Sequence, residues 1–318
     1  YWKGVLSHDL EPNRAYREVS TIGKELQRHG HKLADLSIEN DVAILYSIDS
    51  YQGLRFMRFS DRVNYMTILS QMHRALYELN VGVDFVFPQT KDLSRYKVLL
   101  VPPLYVADDH LLTRLAEYVR QGGHLVMSFK SGFTNEYSTV RWEKAPGPLR
   151  EAAGFYYQEF SNLTEPLPLE GDPFGVGEDN RVSVWAEFLI PETAEILGRY
   201  EDPFLGRFPA ITRNKFGKGS LTYEGTYLTM PLQKAVLTEV LKAAGLTGSD
   251  QGLPEPVRVK HSISGAGKPV HFYLNYSGEQ QSFRYSYSGG IDLLTGKPVE
   301  SEADLVLDPW DSAIIFED

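Results

Sequence analysis

Apolar residues first recur at helical spacing over Pro12–Arg28, where Tyr16, Val19, Ile22 and Leu26 fall on one face. Glu11 and Pro12 stand where a helix starts, and Gly30 stands where one stops. The spacing predicts a one-sided helix that needs a partner surface. From Glu39 to Leu246 the pattern alternates. Val42–Tyr46 is a compact apolar run of the kind that forms a buried parallel strand. Ser60 is placed to cap a following helix whose face carries Tyr65, Ile68, Leu69, Met72, Leu76 and Leu79. Strands are predicted at Gly82–Phe87 and Lys97–Val101, the latter ended by Pro102-Pro103. A helix over Asp109–Arg120 is closed by Gly122-Gly123, and the strand His124–Phe129 follows. Elements in this order predict a doubly wound α/β sheet with its crevice beyond the carboxyl ends of the strands.

Between Ser131 and Asn214 the periodicity fades, and Pro146, Pro148, Pro166, Pro168 and Pro173 indicate long loops and short strands. Alternation returns over Gly219–Tyr227. A helix opened by Pro231 then carries Leu232, Ala235, Val236, Val240 and Ala243 to Gly245. The tail changes character. Strands are predicted at Val257–Ile263, Val270–Tyr276, Ser282–Tyr287, Ala303–Leu307 and Ser312–Phe316, separated by glycine-containing turns. They predict a small antiparallel β-sandwich.

The length of 318 residues allows two domains, and 42% hydrophobic with 23% charged residues is ordinary for a globular protein. The absence of cysteine excludes disulfides, thiolate metal sites and a cysteine nucleophile. A net charge of −10 argues against nucleic acid and anionic membrane surfaces as partners. No apolar run reaches the length of a membrane span. The triplets Asn162-Leu163-Thr164 and Asn275-Tyr276-Ser277 fit the glycosylation pattern, which arises easily by chance.

The opening stretch Tyr1-Trp2-Lys3-Gly4-Val5-Leu6-Ser7-His8-Asp9, followed by Glu11-Pro12-Asn13-Arg14, resembles the end of the catalytic barrel in glycoside hydrolase family 42 β-galactosidases. The order of elements over 34–250 resembles that family's middle domain, a class I glutamine amidotransferase-like, flavodoxin-like sheet that holds three subunits together. His271-Phe272-Tyr273-Leu274-Asn275-Tyr276-Ser277 and Asp292-Leu293-Leu294-Thr295-Gly296-Lys297 resemble its C-terminal β-domain. The resemblance implies three parts: 1–33 as the remnant of the last loop and helix of a TIM barrel, 34–250 as the trimerisation domain, and 251–318 as the β-sandwich. It also implies that the two glutamates used for retaining hydrolysis of terminal β-D-galactosides lie upstream of Tyr1. A chain with these parts is expected to be inactive alone, a cytoplasmic homotrimer without cofactor or metal, acting in subunit assembly and in shaping the active-site funnel.

Candidate chemistry is sparse, and no catalytic residue is assigned. In a class I amidotransferase the nucleophile would sit after the strand His124–Phe129, where this chain reads Phe129-Lys130-Ser131-Gly132. Ser131 could substitute in a free-standing hydrolase, yet Phe129 and Phe133 occupy the positions where a nucleophile elbow requires glycine, which favours a structural turn. Gly217-Lys218-Gly219-Ser220 departs from a phosphate loop at Thr212 and Gly219 and reads as a tight turn. The acidic run from Glu170 to Asn180 lacks calcium-loop spacing and reads as a solvated loop. His8, His29, His31, His73, His110, His124, His261 and His271 show no metal-ligand spacing, and His29 and His31 suit a helix end. Trp2 is the candidate substrate-binding residue, because the resemblance places it on a barrel loop beside the sugar. His8 and Asp9 are expected to anchor that loop to the helix. The alternative to assembly is a carbohydrate-binding module stacking sugar on Tyr273, Tyr285, Tyr287 or Trp310, against which stands their use as core.

Overall fold

A computed structural model describes residues 4–318. Helix α1 (Arg14–Leu33) is capped by the side chain of Asn13, which accepts from the Tyr16 N–H at 2.9 Å. It starts after the predicted Pro12 and runs through Gly30. Its apolar stripe of Tyr16, Val19, Ile22 and Leu26 is exposed. The chain divides into two compact units, one made by residues through Glu39 with Gly252–Asp318, the other by Asn40–Gln251.

The larger unit is a mixed α/β fold. Its elements run β1 (Val42–Leu45), α2 (Ile48–Phe56), α3 (Tyr65–Glu78), β2 (Asp84–Val86), β3 (Val98–Val101), α4 (Asp109–Gln121) and β4 (His124–Ser128). Then come α5 (Arg150–Ala153), β5 (Phe155–Tyr156), β6 (Phe160–Pro168), β7 (Arg181–Glu187), β8 (Ile190–Pro191) and β9 (Glu195–Arg199). The unit closes with β10 (Pro209–Phe216), β11 (Gly219–Glu224), β12 (Thr226–Leu228) and α6 (Met230–Ala243). Among the described residues the central sheet has seven strands in the order β2-β1-β3-β4-β11-β10-β9. The first five are parallel; β10 pairs antiparallel with β11, and β9 antiparallel with β10. β1 and β3 are buried at every position because both faces are covered, which is why they read as unbroken apolar runs. β6, β7 and β12 form a separate sheet that carries residues toward the carboxyl end of β4.

One local reading is corrected. The cap of α3 is Asn64, which forms a reciprocal capping box with Thr67, whereas Ser60 accepts from Arg62 and Val63 and shapes the preceding turn. The stretch from Ser131 to Asn214 holds the expected mixture of loops and strands, β5 to β9 and most of β10.

The second unit continues with β13 (Val257–Ile263), β14 (Pro269–Asn275), β15 (Gln281–Arg284), β16 (Gly290–Asp292), β17 (Pro298–Val299), β18 (Asp304–Leu307) and β19 (Ser312–Glu317). β13-β14-β19-β16-β17 form one antiparallel sheet, and β15-β18 form a second. Between them lie Val257, Val259, Tyr273, Phe283, Tyr285, Leu307, Ala313 and Ile315, giving a β-sandwich-like core. Ser37 and Ile263 exchange backbone hydrogen bonds at 2.8 and 2.9 Å, which fastens the segment after α1 to the edge strand β13.

Candidate functional site

The carboxyl end of β4 is where an open α/β sheet usually carries its chemistry. The chain turns there through Phe129, Lys130 and Ser131. Lys130 has φ of 61°, a left-handed conformation that L residues adopt at a cost. The strained residue of this elbow is therefore the lysine. Gly132 follows with φ of 69°, and a Cβ there would meet the Pro146 carbonyl oxygen at 2.6 Å.

Lys130 is only 7% exposed. Its ammonium lies 4.3 Å from the ring centroid of Trp185, 5.2 Å from Phe133, 5.3 Å from Tyr105 and 5.4 Å from Phe160. Four chain segments thus converge on one cation, whose charge the ring faces stabilise. Its backbone N–H donates to Glu187 Oε1 at 2.7 Å, and the Tyr223 hydroxyl donates to Glu187 Oε2 at 2.8 Å. Glu187 is fully buried. Burial pushes its carboxyl up to about 7, with the Lys130 N–H, the Tyr223 hydroxyl and the Lys130 charge opposing that rise. Burial likewise pushes the Lys130 amine down, and the carboxylate holds it up.

Ser131 is wholly buried. Its hydroxyl donates to the Ser128 carbonyl at 2.7 Å and accepts from the Leu104 N–H at 3.0 Å. His124, the histidine of the same strand, sits at the opposite end of β4 against Ser220 at 2.9 Å. The serine locks the turn to the segment after β3, and nothing in this geometry aims it at a substrate carbonyl. Ser131→Ala is expected to lower unfolding free energy by about 1–3 kcal/mol, because the buried Leu104 N–H loses its acceptor. Urea denaturation checks this; unchanged stability would deny the serine its structural role.

Trp2 lies outside the described residues. His8 is exposed, and Asp9 accepts from the Ser7 hydroxyl at 2.6 Å and the Glu11 N–H at 3.0 Å, which makes it a turn anchor. Gly217-Lys218-Gly219-Ser220 forms the hairpin between β10 and β11; a Cβ on either glycine would strike backbone of the α4–β4 junction. Asp172 folds the acidic run onto itself by accepting from Val176 at 3.0 Å and Gly177 at 2.9 Å. Among the described residues no cluster of three or more His, Asp or Glu is arranged to hold a metal ion. Tyr273 and Tyr285 are core residues, and Tyr287 stacks on His271 at 4.2 Å. Trp310 stands exposed away from that core.

A mixed α/β unit joined to an antiparallel β-sandwich-like unit is the class that this fold defines. The chain belongs to the glycoside hydrolase family 42 β-galactosidases, as a C-terminal portion. Residues 40–247 match the β-galactosidase trimerisation domain, and residues 257–317 match the β-galactosidase C-terminal domain. The β-galactosidase BgaA of Clostridium cellulovorans is 30% identical over 241 residues, 76% of this chain and 36% of that protein. BgaB of a Geobacillus species is 33% identical over 218 residues, 68% of this chain and 32% of that protein. A β-galactosidase crystal structure from Bacillus circulans sp. alkalophilus superposes with a TM-score of 0.89 at 27% identity, covering 99% of this chain and 47% of the other. The chain therefore spans between about a third and a half of these relatives' lengths. No helix of the described residues is long and apolar enough to cross a membrane.

Proposed function

We propose that this chain is the assembly-bearing portion of a retaining β-galactosidase, and that it associates as a homotrimer through its α/β unit. The observation that carries the reading is the match of residues 40–247 to a trimerisation domain. The elbow supports it, since a caged lysine and a locked serine occupy the crest where an amidotransferase would hold its nucleophile. The strand order β2-β1-β3-β4-β11 is the flavodoxin-like order, which supports an amidotransferase-like ancestry for 34–250. On this reading 1–33 is the tail of a catalytic barrel, 251–318 is the β-sandwich, and Trp2 is a substrate-binding residue of the parent enzyme. The two glutamates that hydrolyse terminal β-D-galactosides then lie outside residues 1–318. The 318-residue chain is expected to sediment as a trimer at micromolar concentration and to leave a chromogenic β-galactoside intact. A monomer across that range would sink the assembly reading.

A further inference from the structure

The loop after β4 is a finger built to stay in place. Thr134 exchanges backbone hydrogen bonds with Tyr105 and Ala107 at 2.9 and 3.3 Å, and the Asn135 side chain accepts from Tyr137 and Thr139, both at 3.0 Å. The Arg141 guanidinium is turned inward onto Asp109 and the Ala107 carbonyl, and the Lys144 ammonium lies 4.0 Å from the Tyr156 ring centroid. This braced loop presents Tyr137, Val140 and Trp142 to solvent, with Trp142 93% exposed. Its acids Glu136 and Glu143 are exposed beside them, so the tip is apolar with a negative edge.

On the other flank of the same crest, α2 and α3 enclose a recess of about 320 Å³. Tyr51, Phe59 and Met66 supply apolar lining, and Arg55 and Arg58 outnumber the one acid, Asp61, so the lining carries net positive charge. The segment after β3 separates the two features: Tyr105 and Val106 abut Gly53 of α2 on one side and pair with Thr134 on the other.

A ring of three copies needs two different complementary surfaces on each chain, because its contacts are head-to-tail. With a net charge of −10, copies repel unless the contact itself is complementary in charge. We propose that the finger of one copy seats in the recess of the next, with Trp142 as the apolar anchor and Glu143 and Glu136 facing Arg55 and Arg58. The occupant of the recess is thus a second copy of this chain. A braced finger loses little conformational freedom on docking, and tryptophan and arginine are the residues that most often dominate such contacts. This inference rests on the trimer reading above and names the surface that carries it.

The test compares sedimentation of the wild-type chain with Trp142→Glu, Glu143→Arg, Arg58→Glu and the paired reversal, with circular dichroism confirming the fold of each. Trp142→Glu is expected to give a folded monomer. Each charge reversal is expected to weaken association about tenfold, and the pair to regain most of that loss. A wild-type trimer that stays trimeric as Trp142→Glu, or a paired reversal no better than its singles, would overturn the finger and recess and leave the trimer standing. A wild-type monomer would overturn both.

Discussion

Lys130→Ala is expected to lower the unfolding free energy of the α/β unit by about 3–5 kcal/mol. The ammonium interacts with four ring faces in a desolvated site, which is worth about 2 kcal/mol or more. Its stem fills the space between Tyr105, Phe133, Phe160 and Trp185, and about 0.8 kcal/mol accompanies each buried methylene. Removing the charge also takes away a cation that favours the ionised form of the fully buried Glu187 carboxyl, already pushed up to about 7. Relief from burying an ammonium offsets part of this. Lys130→Met separates the contributions, because it keeps most of the stem and removes the charge. Denaturant unfolding should place Met between wild type and alanine. A methionine variant as stable as wild type would show that the cage does not clasp the crest through its cation.

Much of this fold was legible because strong patterns coincide with simple environments. β1, β3 and β4 lie in a covered parallel sheet, and α4 carries a one-sided apolar face and ends at Gly122, with φ of 127°. α2 was missed because its nine residues include Gly53 and little amphipathic signal; the glycine is there to admit Tyr105 and Val106. β6 was illegible because it is mostly exposed and contains two prolines. In β7, Val184 takes φ of 74°, and that irregularity interrupts the alternation of a regular strand. At the elbow, sequence located the turn and favoured a structural role for Ser131, which its buried hydroxyl fulfils, but it gave no sign of the caged Lys130 one residue earlier. The cage could not be seen at all, since Tyr105, Phe133, Phe160 and Trp185 meet only in three dimensions. Glu187 sits at the end of the strand whose pattern is broken, and an acid closing an apolar segment is the signal that could have found it.

Glu224→Gln should stabilise the chain at pH 8–9 and do little at pH 5. Glu224 is fully buried at the end of β11, where its carboxyl accepts from the Gln233 amide at 2.6 Å. Burial pushes its carboxyl from the ordinary 4.5 up to about 8. The folded chain therefore holds this proton across a range where the unfolded chain has released it. Stability falls as pH rises from about 4.5 to about 8, by at most about 1.4 kcal/mol per unit, and then levels. Glutamine keeps an oxygen for Gln233 and cannot ionise, so the variant should escape this decline. The gain expected at pH 8.5 is about 2–4 kcal/mol, after allowing about 1 kcal/mol for the orientation of the new amide. Glu187 has a similar upward shift but a different outcome. Its two oxygens accept from Lys130 and Tyr223, so Glu187→Gln places an amide donor against existing donors and should destabilise above about pH 7, where the wild-type group is a carboxylate that accepts from both. Unfolding curves at pH 5.0 and 8.5 separate the cases: parallel pH profiles for wild type and Glu224→Gln would mean that this carboxyl is ionised in the folded chain at little cost.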